Sequence, residues 1–122
     1  FSALNISYIG KNELKILTHV ELDSSVAKLT GLSLYCGFYV NEIVSCFLHK
    51  NDPHPEVFIE YQKCLALLAG STDIEESLRY FELNLIQYVG YGIQLSIDAN
   101  FETAVQPLKR YCFGGDSGMV EN

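Results

Sequence analysis

Positive charge is scarce in this sequence: eight Lys and Arg stand against fifteen Asp and Glu, a net charge of −7 over 122 residues. Counted by segment, residues 1–22 and 23–50 are neutral, 51–70 carry −2, 71–92 carry −3 and 93–122 carry −2, so there is no basic block. Nucleic-acid binding needs clustered Lys and Arg to neutralise phosphates and release counterions. On its own this chain is expected to bind DNA poorly. Long apolar runs are missing too: the longest, around LSLYCGFYVNEIVSCFL, is interrupted by Asn41 and Glu42 and is rich in aromatics, so a buried helix is expected and no membrane span. There is no cationic start followed by an apolar core of signal-peptide type.

Familiar chemical motifs are equally absent. Cys36, Cys46, Cys64 and Cys112 contain no CxxC pair, which excludes the zinc-ribbon spacing. Cys36 and Cys46, ten residues apart in one expected helix, would lie about 15 Å apart along its axis, beyond disulfide reach. Reduced, buried thiols in a cytosolic protein are the plain expectation. Neither GxxxxGK[ST] nor a strand–GxGxxG–helix unit occurs, so the glycines at 90, 92, 114, 115 and 118 are assigned to turns and caps. His19 lies on an expected strand, while His49 and His54 flank a connector and do not present two ligands on one helical face. We expect structural or surface histidines, no metal, no cofactor and no enzyme activity. A cysteine nucleophile at Cys36, Cys64 or Cys112 is the enzymatic alternative, and it lacks a histidine placed to generate a thiolate.

What is present is core-forming material. Hydrophobic residues make up 48% and charged residues 19%, enough apolar content for one domain or a domain with an appendage. The chain opens at Phe1 inside an apolar alternation and closes on GGDSGMVEN, and we expect a piece of a longer protein. Residues 3–9 and 13–21 read as two strands around Gly10-Lys11-Asn12, with Leu4, Ile6 and Tyr8 on one face and Leu14, Ile16 and Val20 on the other arm. A lone hairpin is marginal in water, so it should pack on the helices or belong to a larger sheet.

Three helices follow. The first is expected from Ser24–Ser25 to about Lys50, with a stripe of Leu32, Tyr35, Cys36, Tyr39, Ile43, Cys46 and Phe47. Leu29, Phe38, Val40 and Val44 make it apolar over most of its circumference, the mark of a central helix, and Gly31 and Gly37 suggest close approach of another backbone. After the connector Asn51–Pro55, the second helix covers about 55–69 with a Val57, Tyr61, Cys64, Leu65, Leu68 stripe. The third starts at a capping box, Thr72-Asp73-Ile74-Glu75, with Asp73, Glu75 and Glu76 favoured by the helix dipole. It buries Ile74, Leu78, Phe81, Leu85, Ile86 and Val89 and stops at Gly90. Beyond Gly92, residues 93–97 and 109–113 are candidate short strands.

Two carboxylates, Glu42 and Glu82, sit within apolar helices and need solvent or a local donor. One surface cluster stands out: Arg79, a lone cation among acids, with Tyr80 and Leu83 pointing away from the core stripe. A guanidinium beside exposed apolar and aromatic surface suits a short peptide that carries a carboxylate. The plainer reading is an exposed Arg79 paired with Glu75, Glu76 or Glu82.

Residues 29–48, with Tyr35, Tyr39 and Val40-Asn41-Glu42-Ile43, and residues 77–92, with Arg79, Phe81, Glu82, Leu85, Ile86, Gly90 and Tyr91, resemble the RecO family of DNA repair proteins. The hairpin segment resembles the last strands of that family's OB-fold, and the similarity covers roughly residues 1–92. The resemblance implies a mainly α fold, a three-helix core preceded by a β-hairpin remnant of an OB-fold, with an irregular or short-strand tail. The implied divisions are 1–22, 23–92 and 93–122. It further implies a recombination mediator that anneals single strands and helps load RecA with RecR and RecF, contacting DNA through regions outside this chain. Its helical domain would receive the acidic, Phe-ended tail of the single-stranded-DNA-binding protein (SSB), with Arg79, Tyr80 and Leu83 as the docking residues. Family members with zinc carry four cysteines after the Gly-Tyr-Gly turn; here that region holds only Cys112, so no zinc is expected. The alternative is a structural scaffold that bridges domains or RecR.

Overall fold

The computed structural model describes residues 1–23, 28–70 and 73–122. Its architecture is mainly α. Strands β1 (Leu4–Ile9) and β2 (Ile16–Leu22) precede helices α1 (Gly31–Phe47), α2 (Pro55–Gly70) and α3 (Ile74–Tyr88). Four short strands follow: β3 (Ile97–Asp98), β4 (Thr103–Ala104), β5 (Tyr111–Gly114) and β6 (Gly118–Glu121).

The hairpin pairs antiparallel from Leu4 opposite Leu22 to Ile9 opposite Ile16, with a bulge between Ser7 and Tyr8. Gly10 turns at φ +124°, a left-handed conformation that only glycine adopts cheaply. Every residue of both strands is exposed, so the expected packing of the strands on the helices does not occur. The hairpin meets the helical part at its tip, where Glu13 Oε1 lies 3.9 Å from Lys50 Nζ, and at its base. There the Phe1 ring meets Phe38 at a centroid distance of 5.4 Å.

The core unites Leu29, Val40, Val57, Cys64, Leu68, Phe81 and Leu85. On α2 and α3 this is the expected stripe. On α1 it is not. The buried line there runs through Gly37 and Val40, while Leu32 and Tyr35, assigned to the core from sequence, are 66% and 71% exposed. The true face lies roughly a quarter-turn from the expected one. A helix apolar nearly all round gives its periodicity no unique direction, and packing against α2 and α3 chose. Helix α1 also starts later than expected: Lys28, Leu29 and Thr30 are not helical, Thr30 is the N-cap, and Ser24–Ser25 lie outside the described residues. Gly31 enters the helix at φ +56° with no neighbour near its missing Cβ, so it serves the turn. At Gly37 side chains approach, not backbone: a Cβ there would stand 2.7 Å from Leu29 Cδ1 and 2.9 Å from Phe1 Cζ.

Thr72, the expected cap of α3, lies outside the described residues, and the N-cap is Asp73, whose carboxylate accepts from the Glu76 amide at 3.0 Å. Asp73→Ala is expected to cost about 1 kcal/mol of unfolding free energy, read from the shift in a urea midpoint. At the other end, Gly90 (φ +91°) allows the Tyr91 and Gly90 amides to fold back onto the Ile86 and Gln87 carbonyls, at 2.9 and 3.3 Å. This paired C-terminal closure is the reason the helix stops where expected.

Each helix pair is also joined by a polar strut: Tyr61 donates to Asn41 (α2–α1, 2.7 Å), Asn84 to Glu60 (α3–α2, 3.2 Å) and Tyr39 to Glu82 (α1–α3, 2.6 Å). In the tail, the strands form a sheet in the order β4-β3-β6-β5, parallel only between β3 and β6. The expected strand at 93–97 shrinks to Ile97–Asp98, the strand at 109–113 becomes β5, and β4 and β6 have no counterpart among the expected strands. Asp98 is buried here, its Oδ1 accepting from the Asn100 amide at 2.9 Å.

Candidate protein-docking site

Helix α3 turns Phe81 and Leu85 inward, so helical geometry carries Arg79, Tyr80 and Leu83 to its outer side. All three are exposed as expected. They form a ridge more than a pocket. Arg79 leans toward α1, where its Nη2 donates to Glu82 Oε1 at 2.8 Å. Tyr80 sits on the α2 side, near Lys63, whose pKa is raised chiefly by its hydrogen bond to Glu60. Leu83 lies between the two.

The side chain of Glu82 is only 19% exposed, and it has found the donors that such a carboxylate needs. Arg79 is one; the Tyr39 hydroxyl, at 2.6 Å, is the other, and both meet Oε1. The hydrogen bond to Glu82, aided by burial, pushes the Tyr39 pKa up. Sequence reasoning expected solvent exposure or a local donor for Glu82 and assigned Tyr39 to the core; only the tertiary packing of α1 on α3 brings them together. Glu42, the other carboxylate in question, is solvent-exposed.

Two cavities lie elsewhere, neither lined by Arg79, Tyr80 or Leu83. One, about 510 Å³, separates the start of β1 from α2 and is walled by Phe1, Leu4, Ile6, Phe58, Tyr61 and Leu65. The other, about 470 Å³, gathers Cys46, His49, Asp52 and His54 around the end of α1, with Val89 and Tyr91 opposite. His54 Nε2 lies 3.2 Å from Asp52 Oδ2. His49 and His54, on either side of the connector, both line this cavity. Among the described residues, no group of three or more His, Cys, Asp or Glu side chains stands close enough to hold a metal ion.

All four cysteines are free thiols, but only Cys64 is buried; Cys46 and Cys112 are exposed and Cys36 is intermediate, contrary to the expectation of four buried thiols. Solvent reaches 46 and 112 because neither the outer side of α1 nor β5 is covered. Burial, with smaller effects from Cys36 and Glu82, pushes the Cys64 thiol up to about 11. An unfolded thiol ionises near 9.0. The folded state therefore keeps a proton that the unfolded chain releases, and the contribution of Cys64 to stability, intact below pH 9, is expected to be lost between about pH 9 and pH 11. The loss from this group should be roughly 2–3 kcal/mol, measured by urea unfolding across that range, and Cys64→Ala should make the decline shallower.

An α-helical core carries a solvated ridge of Arg79, Tyr80 and Leu83 on its surface, and polar side chains tie the three helices together. Comparison with known proteins gives the family. The family model "Recombination protein O C terminal" matches residues 29–117. The DNA repair protein RecO of Methylococcus capsulatus is 39% identical over 120 residues, covering 98% of this chain and 50% of the relative. That of Nitrosospira multiformis is 37% identical over 120 residues with the same coverage. That of Pseudoalteromonas atlantica is 42% identical over 100 residues, 82% of this chain and 42% of the relative. The chain belongs to the RecO family, and it spans about half the length of these relatives.

Proposed function

We propose that this chain is the helical, protein-docking portion of a RecO-type DNA repair and recombination mediator, receiving the acidic, Phe-ended C-terminal tail of SSB on the outer side of α3. The observation that carries the reading is the exposed trio Arg79, Tyr80 and Leu83 on a helix whose opposite face is the core. Arg79 takes a tail carboxylate, and Tyr80 and Leu83 supply the apolar contact. In this reading residues 1–22 are the last strands of an OB-fold. The complete protein anneals single strands and assists RecA loading with RecR and RecF in the cytoplasm. DNA is held by regions outside this chain, in keeping with its net charge of −7. The role is binding, not catalysis, and needs neither zinc nor another cofactor; Cys64, one of the three candidate nucleophiles, is a poor one because burial holds the proton on its thiol.

The test is a titration of the chain with an acidic Phe-terminated peptide, comparing wild type with Arg79→Ala. Equal affinity removes Arg79 from the site. A second reading, a scaffold that only bridges domains or RecR, draws on the Arg79–Glu82 pair, since that contact already occupies the cation. It predicts a normally folded chain to which no tail peptide binds.

A further inference from the structure

Resting on the docking reading above, we infer that Glu82 is a built-in competitor for the Arg79 guanidinium, and that Tyr39 is the positioning residue that allows Glu82 to give it up. The Glu82 side chain is mostly covered, whereas Arg79 is 59% exposed, so the contact joins an interior carboxylate to a surface cation. Arg79 and Tyr39 donate to the same oxygen, Oε1, at 2.8 and 2.6 Å. Tyr39 belongs to a different helix, 43 residues from Glu82 in the chain, so the carboxylate has an anchor that does not depend on Arg79.

An incoming carboxylate meets a guanidinium that already holds one. Exchanging one carboxylate for another at a solvated cation gains little, and two carboxylates around one guanidinium repel each other. A simple anion is thereby rejected, and a ligand succeeds only when it adds apolar contact along Tyr80 and Leu83. The class so selected is a peptide that presents a carboxylate and an apolar side chain together, in preference to a free small carboxylate. When the guanidinium turns outward, a mostly covered Glu82 stripped of its donors would be costly. The Tyr39 hydroxyl stays behind and limits that cost.

The full chain is titrated with the acidic Phe-terminated peptide, and separately with acetate, for wild type, Arg79→Ala, Glu82→Gln, Tyr39→Phe and the doubles E82Q/R79A and E82Q/Y39F, with thermal melting to confirm folding. Removing the competing charge should tighten peptide binding about 3- to 10-fold, and acetate, undetectable on wild type, should bind measurably to E82Q. Tyr39→Phe should weaken the peptide roughly 3-fold in wild type and have a smaller effect once Glu82 is neutral. E82Q binding no tighter than wild type overturns the competitor role, as does a gain of equal size in the R79A background, which would mark a bulk charge effect. An equal Y39F effect in both backgrounds overturns the positioning role. These failures leave the docking reading standing if R79A still loses binding; an R79A variant with wild-type affinity removes that reading itself.

Discussion

Replacing Phe81 with alanine is expected to lower the free energy of unfolding by about 3–5 kcal/mol, a large share of the 5–15 kcal/mol that holds a typical domain together. Phe81 is 2% exposed, among the largest fully buried side chains, and lies with Leu85 on the face of α3 that meets α1 and α2. Truncation there removes apolar contact and leaves a cavity that three helices cannot all close. The position also follows Tyr80, which is 65% exposed and supplies an internal control. Tyr80→Ala should change stability by no more than about 0.5 kcal/mol, so adjacent residues should differ several-fold in cost. Urea unfolding followed by far-ultraviolet circular dichroism reads both. A loss below about 1 kcal/mol at Phe81 would mean that the helices do not pack as described.

That contrast between neighbours was legible in the sequence because α3 is amphipathic: its charges and its apolar residues divide into two faces, and only one can be buried. The same logic worked for α2, where Val57, Cys64 and Leu68 were picked correctly. It failed on α1 for the opposite reason. With apolar side chains on every side, spacing alone could not choose between the Leu32–Tyr35 line and the Gly37–Val40 line. Gly37 was the clue to the second line: it marked a close approach, and its missing Cβ is what lets the Leu29 and Phe1 side chains close over the helix. The tail was harder still. Strand β6 joins β3 in parallel through a single register pair, Asp98 with Met119, a contact set by the path of the chain between them and not by local alternation. The site divides in the same way. Arg79, Tyr80 and Leu83 could be read from one helix, and Glu82 could be seen to need solvent or a donor. That the donor is Tyr39, and that the connector brings His49 and His54 to one cavity wall, depends on how separate elements meet.

The largest effect on binding is expected at Arg79. A charge-assisted contact between a guanidinium and a carboxylate is worth about 1.5–3 kcal/mol when well formed, so Arg79→Ala should weaken the acidic Phe-terminated peptide roughly 10- to 100-fold. Folding should be nearly untouched, because among the described residues the ion pair lost is a partly solvated i,i+3 contact with Glu82, worth less than about 1 kcal/mol. This separation makes the result interpretable: a core variant loses binding because it unfolds, whereas R79A should lose binding while its melting temperature stays within a few degrees of wild type. Arg79→Lys sharpens the point. Lysine keeps the charge but not the planar fork, so it should recover only part of the affinity if the peptide carboxylate is gripped by two N–H groups, and nearly all of it if charge alone matters. Isothermal titration at two salt concentrations distinguishes the cases, since the long-range part of the attraction fades with screening while a close bidentate contact largely persists. Wild-type affinity for R79A at both salts would leave α3 as a scaffold element with an ordinary surface ion pair.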